Sequence, residues 1–146
     1  MARRSRAREV ALQLLFQRDH NSQVDRANLE QFVAARLRDP LLESFCVGLY
    51  DGVVARQGEI DERLAAAAEN WRLPRMATVD RNVLRLGAYE LLYVPDMPPK
   101  VVLDEAVELA RRYGAQDSSA FVNGVLDKLL QGRETPPAAN DLMPNE

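Results

Sequence analysis

The chain has 146 residues, of which 47% are hydrophobic and 28% are charged, a composition typical of one folded domain and not of a disordered chain. It has no run of about 18 apolar residues and no apolar segment behind the N-terminal arginines, so we expect neither a membrane helix nor a secretory signal, and a cytoplasmic protein. Cys46 is the single cysteine, which excludes an intramolecular disulfide, and its apolar neighbours predict a buried thiol.

The charge is unevenly distributed along the chain. The net charge is −3, yet the first eight residues contain four arginines and no acidic residue. The other 138 residues carry 15 basic and 22 acidic groups, a balance of −7. A basic arm on an acidic body indicates a localised anion-binding site rather than a general affinity for polyanions. The arginines of this arm are Arg3, Arg4, Arg6 and Arg8.

Apolar residues recur at helical spacing throughout, and no convincing strand alternation or hairpin turn is found, which predicts an all-α fold. Asp39 and Pro40 form a start signal, because an acidic side chain caps free amide groups and proline fits the first helical turn. Gly114 is a stop signal. In chain order, helices are expected over about residues 5–20, 27–37, 40–56, 60–69, 78–93 and 100–113 and, after a cap at Asp117 or Ser118, up to residue 130.

Finer features follow from the same pattern. The fourth helix is expected to continue the third or to be kinked near Gly58. The fifth helix is apolar on several sides, which is typical of a central helix covered by its neighbours. The sixth helix should turn Tyr113 toward the core. Residues 70–75 are expected to be a loop between two halves, and residues 135–146, with two adjacent prolines and little apolar content, a disordered tail.

The last helix carries a ridge beside its apolar stripe. The stripe is formed by Val122, Val125, Leu126 and Leu129. The flank of this stripe carries an acid, Asp117, followed by an aromatic ring, Phe121. It continues with a residue without a side chain, Gly124, and a cation, Lys128. A half-exposed ring can stack on a nucleobase, and a glycine beside it allows a backbone to approach closely. The alternative is that Phe121 packs on a neighbouring helix and Gly124 permits a tight helix crossing.

The first helix shows a similar pair of ridges. Its main stripe is formed by Ala7, Val10, Ala11, Leu14 and Leu15. Arg8, Leu12 and Phe16 lie on a second ridge, away from the centre of that stripe. Either the helix is sandwiched between two others, with Leu12 and Phe16 both buried, or Phe16 borders the surface near the arginines. Arginines that hold phosphates and rings that stack on bases are the combination expected at a single-stranded RNA contact.

The sequence shows no catalytic constellation. His20 is the only histidine and has no cysteine or acid at metal-ligand spacing, and neither a glycine-rich phosphate loop nor a nucleophile motif is present. Asp104, Glu105 and Glu108 are expected to form a solvated helix face near a helix start, where acids suit the helix dipole. We therefore expect a binding protein that is not an enzyme and that requires no cofactor and no metal.

Four collinear segments resemble the NusB family, bacterial transcription antitermination factors that bind RNA. They are Arg6-Ala7-Arg8-Glu9 with Leu15-Phe16, Val79-Asp80-Arg81 with Tyr89-Glu90-Leu91-Leu92, Lys100-Val101-Val102 with Asp104-Glu105-Ala106, and Phe121-Val122-Asn123-Gly124-Val125-Leu126-Asp127. Together they span nearly the whole chain, in the order and at the spacing of the family. The resemblance implies a compact all-helical fold of about seven helices in two small bundles, with one domain over residues 1–134 whose halves cover about 5–69 and 74–132.

The resemblance also implies a function. It implies binding of the boxA element of nascent ribosomal-operon RNA together with NusE, a small-subunit ribosomal protein, in a complex that joins RNA polymerase with NusA and NusG. Asp80 would lie on the NusE-binding surface. The residues that would fall in the RNA site are Arg3, Arg4, Arg6, Arg8, Phe16, Asp117 and Phe121, to which the ridge of the last helix adds Lys128.

The chain departs from the family pattern at two positions, and other functions stay open. The family commonly has tyrosine where Phe16 stands and often lysine where Ala120 stands, so a hydroxyl hydrogen bond and one phosphate contact are expected to be missing. One alternative is a protein-interaction module whose arginine arm contacts an acidic partner. Another is the targeting domain of an RNA methyltransferase, although we expect no room here for an α/β cofactor domain. The resemblance leaves monomer and homodimer open.

Overall fold

The computed structural model describes residues 3–69 and 72–134. Over these ranges the regular structure consists of seven α-helices and one short 3-10 turn, which confirms the all-α prediction. The predicted tail over residues 135–146 and the first two residues of the predicted loop, 70 and 71, lie outside the described residues. The elements are α1 (Arg3–His20), α2 (Arg26–Leu37), α3 (Pro40–Ala55), α4 (Gln57–Ala68), the 3-10 turn (Leu73–Arg75), α5 (Thr78–Tyr93), α6 (Pro99–Tyr113) and α7 (Ser118–Glu134).

The helix starts follow the local chemistry of the sequence. The Asp39 carboxylate accepts a hydrogen bond from the Leu41 amide at 2.9 Å, with Pro40 in the first turn of α3, as predicted. At α7, the Ser118 hydroxyl instead accepts from the Ala115 amide at 2.9 Å, which lies before the helix. Ser118 therefore holds the turn that leads into α7, rather than capping the helix as one of the two predicted alternatives required.

Two helix ends differ from the prediction. The chain breaks between α3 and α4 at Arg56 rather than near Gly58, which lies inside α4. Gly114 ends α6, but its φ of −96° is outside the left-handed region that the stop signal implies. The glycine is required for space instead, because a Cβ atom there would lie 2.5 Å from the Ser118 Oγ.

Helix α5 is the centre of the molecule, as its all-round apolar pattern predicts. It packs against α1, α3 and α4, which precede it in the chain, and against α6 and α7, which follow it. The residues from Asn82 to Ala88 are all buried. The core is therefore continuous from the first four helices to the last three, and the ends of α1, α5, α6 and α7 meet at one surface.

The apolar stripes predicted for α1 and α7 are buried throughout. The prediction for Tyr113 was wrong: this residue is 43% exposed, and its hydroxyl donates to the Glu9 carboxylate at 3.1 Å. Tyr113 is the last residue of α6, so its ring extends past the helices that cover the preceding turns. Cys46 is fully buried, as predicted, and burial raises the pKa of its thiol to about 12.

Polar side chains join α1 to α5. The Asp19 carboxylate accepts from the Asn82 side-chain amide at 2.9 Å and from Arg81 at 3.0 Å. Burial opposes its ionisation, but these hydrogen bonds and the nearby Arg85 guanidinium outweigh that effect and lower the pKa of Asp19. Arg85 in turn donates twice to Asp61 of α4, at 2.9 Å each. This network orients the end of α1 relative to the start of α5.

Candidate nucleic-acid interface

The N-terminal arginines belong to the first two turns of α1 and project in different directions. Arg3 and Arg4 are exposed. Arg3 is ion-paired with Asp39, and the guanidinium carbon of Arg4 lies 4.6 Å from the centre of the Phe45 ring. Arg6 keeps 40% of its side chain exposed. These three arginines are accessible to an anion.

Arg8 is buried, and the expectation that it belongs to an accessible arm was wrong. Its side chain is 4% exposed. The Nε and Nη2 atoms donate to the two carboxylate oxygens of Glu90 at 2.9 and 2.8 Å. A planar guanidinium and a carboxylate satisfy each other well in this two-bond geometry, which allows both charges to be buried. Arg8 therefore holds α1 to α5.

The second ridge of α1 is divided between core and surface. Leu12 is 4% exposed, whereas Phe16 is 38% exposed. Of the two alternatives, burial of both side chains is wrong, because Phe16 borders the surface. It lines a groove of about 430 Å³, which we call the Phe16 groove. The residues lining this groove are Leu12, Gln13, Phe16, Gln17, Phe32, Arg36, Val79 and Tyr113.

Phe121 and Asp117 line a second groove, of about 360 Å³, together with Asp80. We call it the Phe121 groove. Phe121 is half-buried at the margin of the core, and Asp117 is exposed. Val79 lines the Phe16 groove and Asp80 lines this one, so the two grooves lie next to each other at the start of α5. The residues lining the Phe121 groove are Arg75, Met76, Ala77, Asp80, Ala115, Gln116, Asp117, Ser118 and Phe121.

Asp80 has an unusual environment in the Phe121 groove. It lies in the first turn of α5, where the helix dipole favours a carboxylate. Its Oδ1 atom is buried and has no hydrogen-bond partner within the described part of the chain. A buried acceptor without a partner costs about 1–3 kcal/mol. A donor from a bound molecule would remove that cost.

The ridge on α7 extends away from both grooves. Gly124 is exposed, and a Cβ atom there would meet nothing within 4 Å among the described residues. The alternative of a tight helix crossing at Gly124 is therefore wrong. Lys128 is exposed and ion-paired with Glu69 of α4. It lies seven residues beyond Phe121, about 10 Å along the helix, and lines neither groove.

The sequence reasoning missed the cluster around Glu9. This carboxylate is 4% exposed and accepts from Arg6 of α1 and from Arg112 and Tyr113 of α6. Arg36 was missed as well; its guanidinium carbon stands 3.6 Å from the centre of the Phe32 ring in the wall of the Phe16 groove. The sequence does contain a signal for the Glu9 cluster. At residues 111–113 two arginines stand next to a tyrosine, and arginines close to an aromatic residue are also the pattern that points to the first helix.

Two of the acidic side chains of α6 form pairs within the helix, and the third contacts α1. Asp104 pairs with Lys100 at 3.2 Å, Glu108 pairs with Arg111 at 2.7 Å, and Glu105 accepts from the Ser5 hydroxyl at 2.7 Å. Within residues 3–69 and 72–134, no group of three or more metal-ligating side chains is arranged to hold an ion. None of the described helices is both long enough and apolar enough to cross a membrane.

Fold and grooves together define an all-helical protein with a binding surface where α1, α5, α6 and α7 meet. The NusB family model matches residues 5–131, and the chain belongs to the NusB family. It is 46% identical over 131 residues to the transcription antitermination protein NusB of Sorangium cellulosum, covering 90% of this chain and 94% of that protein. It is 43% identical to the Myxococcus xanthus protein of the same name, covering 93% of this chain and 100% of that protein.

Solved structures of the family share the fold. T. maritima NusB matches with a TM-score of 0.78 at 37% identity, covering 90% of this chain and 92% of that one. A chain from a crystal structure of the antitermination factors NusB and NusE in complex with dsRNA matches with a TM-score of 0.81 at 26% identity, covering 90% of this chain and 98% of that one. The all-helical architecture is thus common to this chain and to NusB structures.

Proposed function

We propose that this NusB family member is a transcription antitermination factor that binds the boxA element of nascent ribosomal-operon RNA together with NusE. Its relatives are named transcription antitermination proteins, and a structural neighbour comes from a complex of NusB and NusE with dsRNA. The observation that carries the proposal is the pair of adjacent grooves with partly exposed phenylalanine rings. Each groove is also lined by an arginine, Arg36 in the Phe16 groove and Arg75 in the Phe121 groove. The protein acts by binding in the cytoplasm, not by catalysis.

RNA recognition divides between charge and stacking. Arg3, Arg4 and Arg6 attract phosphates, and each such contact weakens as salt concentration rises. Phe16 and Phe121 stack on unpaired bases, which contributes roughly 1–3 kcal/mol per base. Arg8 takes no part in contact with RNA, since its guanidinium is bound to Glu90 in the core. Its role is to hold the arginine-bearing end of α1 on α5.

Asp80 is the group through which NusE is proposed to bind, and Asp117, on the same groove, is a proposed RNA contact. Both carboxylates line the Phe121 groove, and the buried Asp80 Oδ1 accepts a hydrogen bond from the partner. If bound NusE raises the affinity for RNA, bound RNA raises the affinity for NusE by the same factor. The resulting complex joins RNA polymerase with NusA and NusG and allows transcription through terminators.

The experiment that tests this proposal measures binding of fluorescent boxA RNA and of a scrambled RNA of equal composition, with and without NusE, at two salt concentrations. We expect a preference for boxA that increases when NusE is added. Equal and steeply salt-dependent binding to both RNAs would show that the arginines act only as a polycation. NusE binding that is indifferent to RNA would then support a protein-interaction module.

Phe121→Ala tests the stacking role within the same assay. We expect weaker boxA binding, by about tenfold for the loss of one stacked base, with the circular dichroism spectrum unchanged. Leu130→Ala is the matched control, because Leu130 is also a partly buried apolar residue of α7 but lines neither groove. An unfolded Phe121→Ala protein, or equal RNA binding by both variants, would contradict a role for this ring in RNA recognition.

A further inference from the structure

The seam between α1 and α6 is made by polar side chains. Both helices pack on α5. Ser5 donates to Glu105, and Glu9 accepts from Arg112 and Tyr113, so hydrogen bonds bridge the two helices at both ends of the seam. A seam of this kind leaves charged groups and a ring on the surface, where a ligand reaches them.

Glu9 gathers two cations around one buried anion. Its Oε1 accepts from Arg6 at 3.0 Å, and its Oε2 accepts from Arg112 and from the Tyr113 hydroxyl. One arginine would suffice to neutralise this carboxylate, so the cluster carries an excess positive charge. Each guanidinium has five N–H donors, and the side chains are 40% exposed for Arg6 and 41% exposed for Arg112. Donors therefore remain for a second anion.

Tyr113 adds an exposed ring to this cationic pair. The residue is 43% exposed, and the Arg112 guanidinium carbon lies 5.8 Å from the centre of its ring. Burial, and then the Glu9 carboxylate, raises the pKa of Tyr113, so the hydroxyl stays a donor and fixes the ring. The ring also lines the Phe16 groove. The cluster and the groove therefore form one continuous surface.

The geometry of α1 gives this surface a direction. At 100° per residue, Arg6, Glu9, Gln13 and Phe16 fall on one face of the helix within about 80°. Ten residues separate Arg6 from Phe16, which corresponds to about 15 Å along the axis. A strand laid along this face meets the two arginines first, then the Tyr113 ring, then the Phe16 groove.

We infer that Arg6, Arg112 and Tyr113, held in position by Glu9, form a subsite for one nucleotide of single-stranded RNA. The two guanidinium groups bind its phosphate, and the Tyr113 ring stacks on its base. This inference rests on the proposed RNA-binding function and adds α6 to the RNA-contacting elements. A phosphate between two guanidinium groups forms charge-assisted hydrogen bonds, and an exposed ring beside it stacks on bases without regard to sequence.

Arg112→Gln and Arg111→Gln form a matched pair for the test. Both remove one positive charge from an exposed residue in the last turn of α6, but Arg111 pairs with Glu108 and lies outside the cluster. In titrations of boxA RNA with the full chain and NusE, we expect Arg112→Gln to bind about tenfold more weakly. The slope of log K against log salt should fall by about 0.7, the value for one lost single-strand phosphate contact. Arg111→Gln should match the unaltered protein in both.

Tyr113→Leu and Tyr113→Phe separate the ring from the hydroxyl. We expect Tyr113→Leu to bind RNA about tenfold more weakly with an unchanged salt slope, and Tyr113→Phe to stay near the unaltered protein. Equal behaviour of the two arginine variants, or full binding by Tyr113→Leu, would overturn the subsite. If Arg112→Gln or Tyr113→Leu loses binding to NusE in the absence of RNA, the subsite is overturned as well, because this surface then belongs to the protein partner. If the unaltered chain shows no boxA preference, the proposed function fails, while the arginine pair still tests the subsite on any single-stranded RNA.

Discussion

Arg6 and Arg8 are two positions apart on α1, yet one faces solvent and the other is a core residue. Two residues turn a helix by about 200°, so the two side chains project from nearly opposite faces. The sequence places Arg8 on a ridge with Leu12, which is compatible with burial only if a carboxylate is available. That carboxylate, Glu90, is 82 positions away along the chain, so the pairing could not be predicted from local pattern.

The burial of this ion pair leads to a stability prediction. Glu90→Ala leaves the buried Arg8 charge with only the more distant Glu105 carboxylate, at 3.7 Å, and we expect unfolding to become easier by up to about 3–5 kcal/mol. Glu108→Ala is the control, because its pair with Arg111 is exposed and contributes less than about 1 kcal/mol. Urea denaturation followed by circular dichroism measures both. Equal losses for the two variants would mean that the Arg8–Glu90 pair is not shielded from water.

At the scale of the helices, two glycines in the packed second half show opposite requirements for space. A Cβ atom at Gly87 of α5 would lie 2.7 Å from Leu126 Cδ1, whose side chain is fully buried. A Cβ atom at Gly124 of α7 would meet nothing within 4 Å among the described residues. One glycine permits close packing of α5 on α7, while the other lies within a helix at an open surface.

Gly87→Ala and Gly124→Ala should therefore change stability in opposite directions. We expect Gly87→Ala to lower the free energy of unfolding by about 1–3 kcal/mol through overpacking. Gly124→Ala should raise it by roughly 0.5–1 kcal/mol, because alanine favours the helix more than glycine does. Thermal and urea denaturation of the two variants measure this difference. A loss of stability in Gly124→Ala would show that another group occupies the space beside it.

The helices themselves could be predicted well from the sequence, because their signals are local. Helix α5 runs over Thr78–Tyr93, and the Asp39–Pro40 start is where the sequence places it. The errors arise where distant groups decide the outcome. Gly114 is required by the nearby Ser118 side chain rather than by a left-handed turn, and Tyr113 is held at the surface by Glu9 from another helix.

The candidate site was predicted in parts rather than as a whole. Phe16, Asp117 and Phe121 do line grooves, and helical spacing identified their marginal positions. Their proximity to Asp80, which the resemblance assigned to a separate surface, depends on how α5 and α7 pack. The Glu9 cluster depends on side chains of α1 and α6 reaching each other, and no spacing within one helix predicts that arrangement.

At the scale of the whole molecule, α5 belongs to the core of both halves. It contacts α1, α3 and α4 before the connecting segment as well as α6 and α7 after it. The Arg8–Glu90 pair and the Asp19 network add buried and partly buried polar links across the same boundary. Neither the helices before α5 nor the helices after it can bury α5 alone, since either set would leave part of the apolar surface of α5 in water. We therefore expect one cooperative unfolding transition.

Thiol accessibility in each half tests this cooperativity. Cys46 reports on α3, and a Cys46→Ala/Ala110→Cys variant carries the thiol at a fully buried position of α6 instead. We expect thiol labelling in urea at pH 8 to follow the circular dichroism transition of the same variant in both cases. Burial raises the pKa of Cys46 to about 12, against an ordinary 9.0. The stability that this shift contributes is present below pH 9.0 and is lost as pH rises toward 12. At pH 8, therefore, ionisation of the thiol does not drive unfolding. Labelling of one site at clearly lower urea than the other would show that the halves unfold separately, and the grooves between α1, α5, α6 and α7 would then not be a rigid surface.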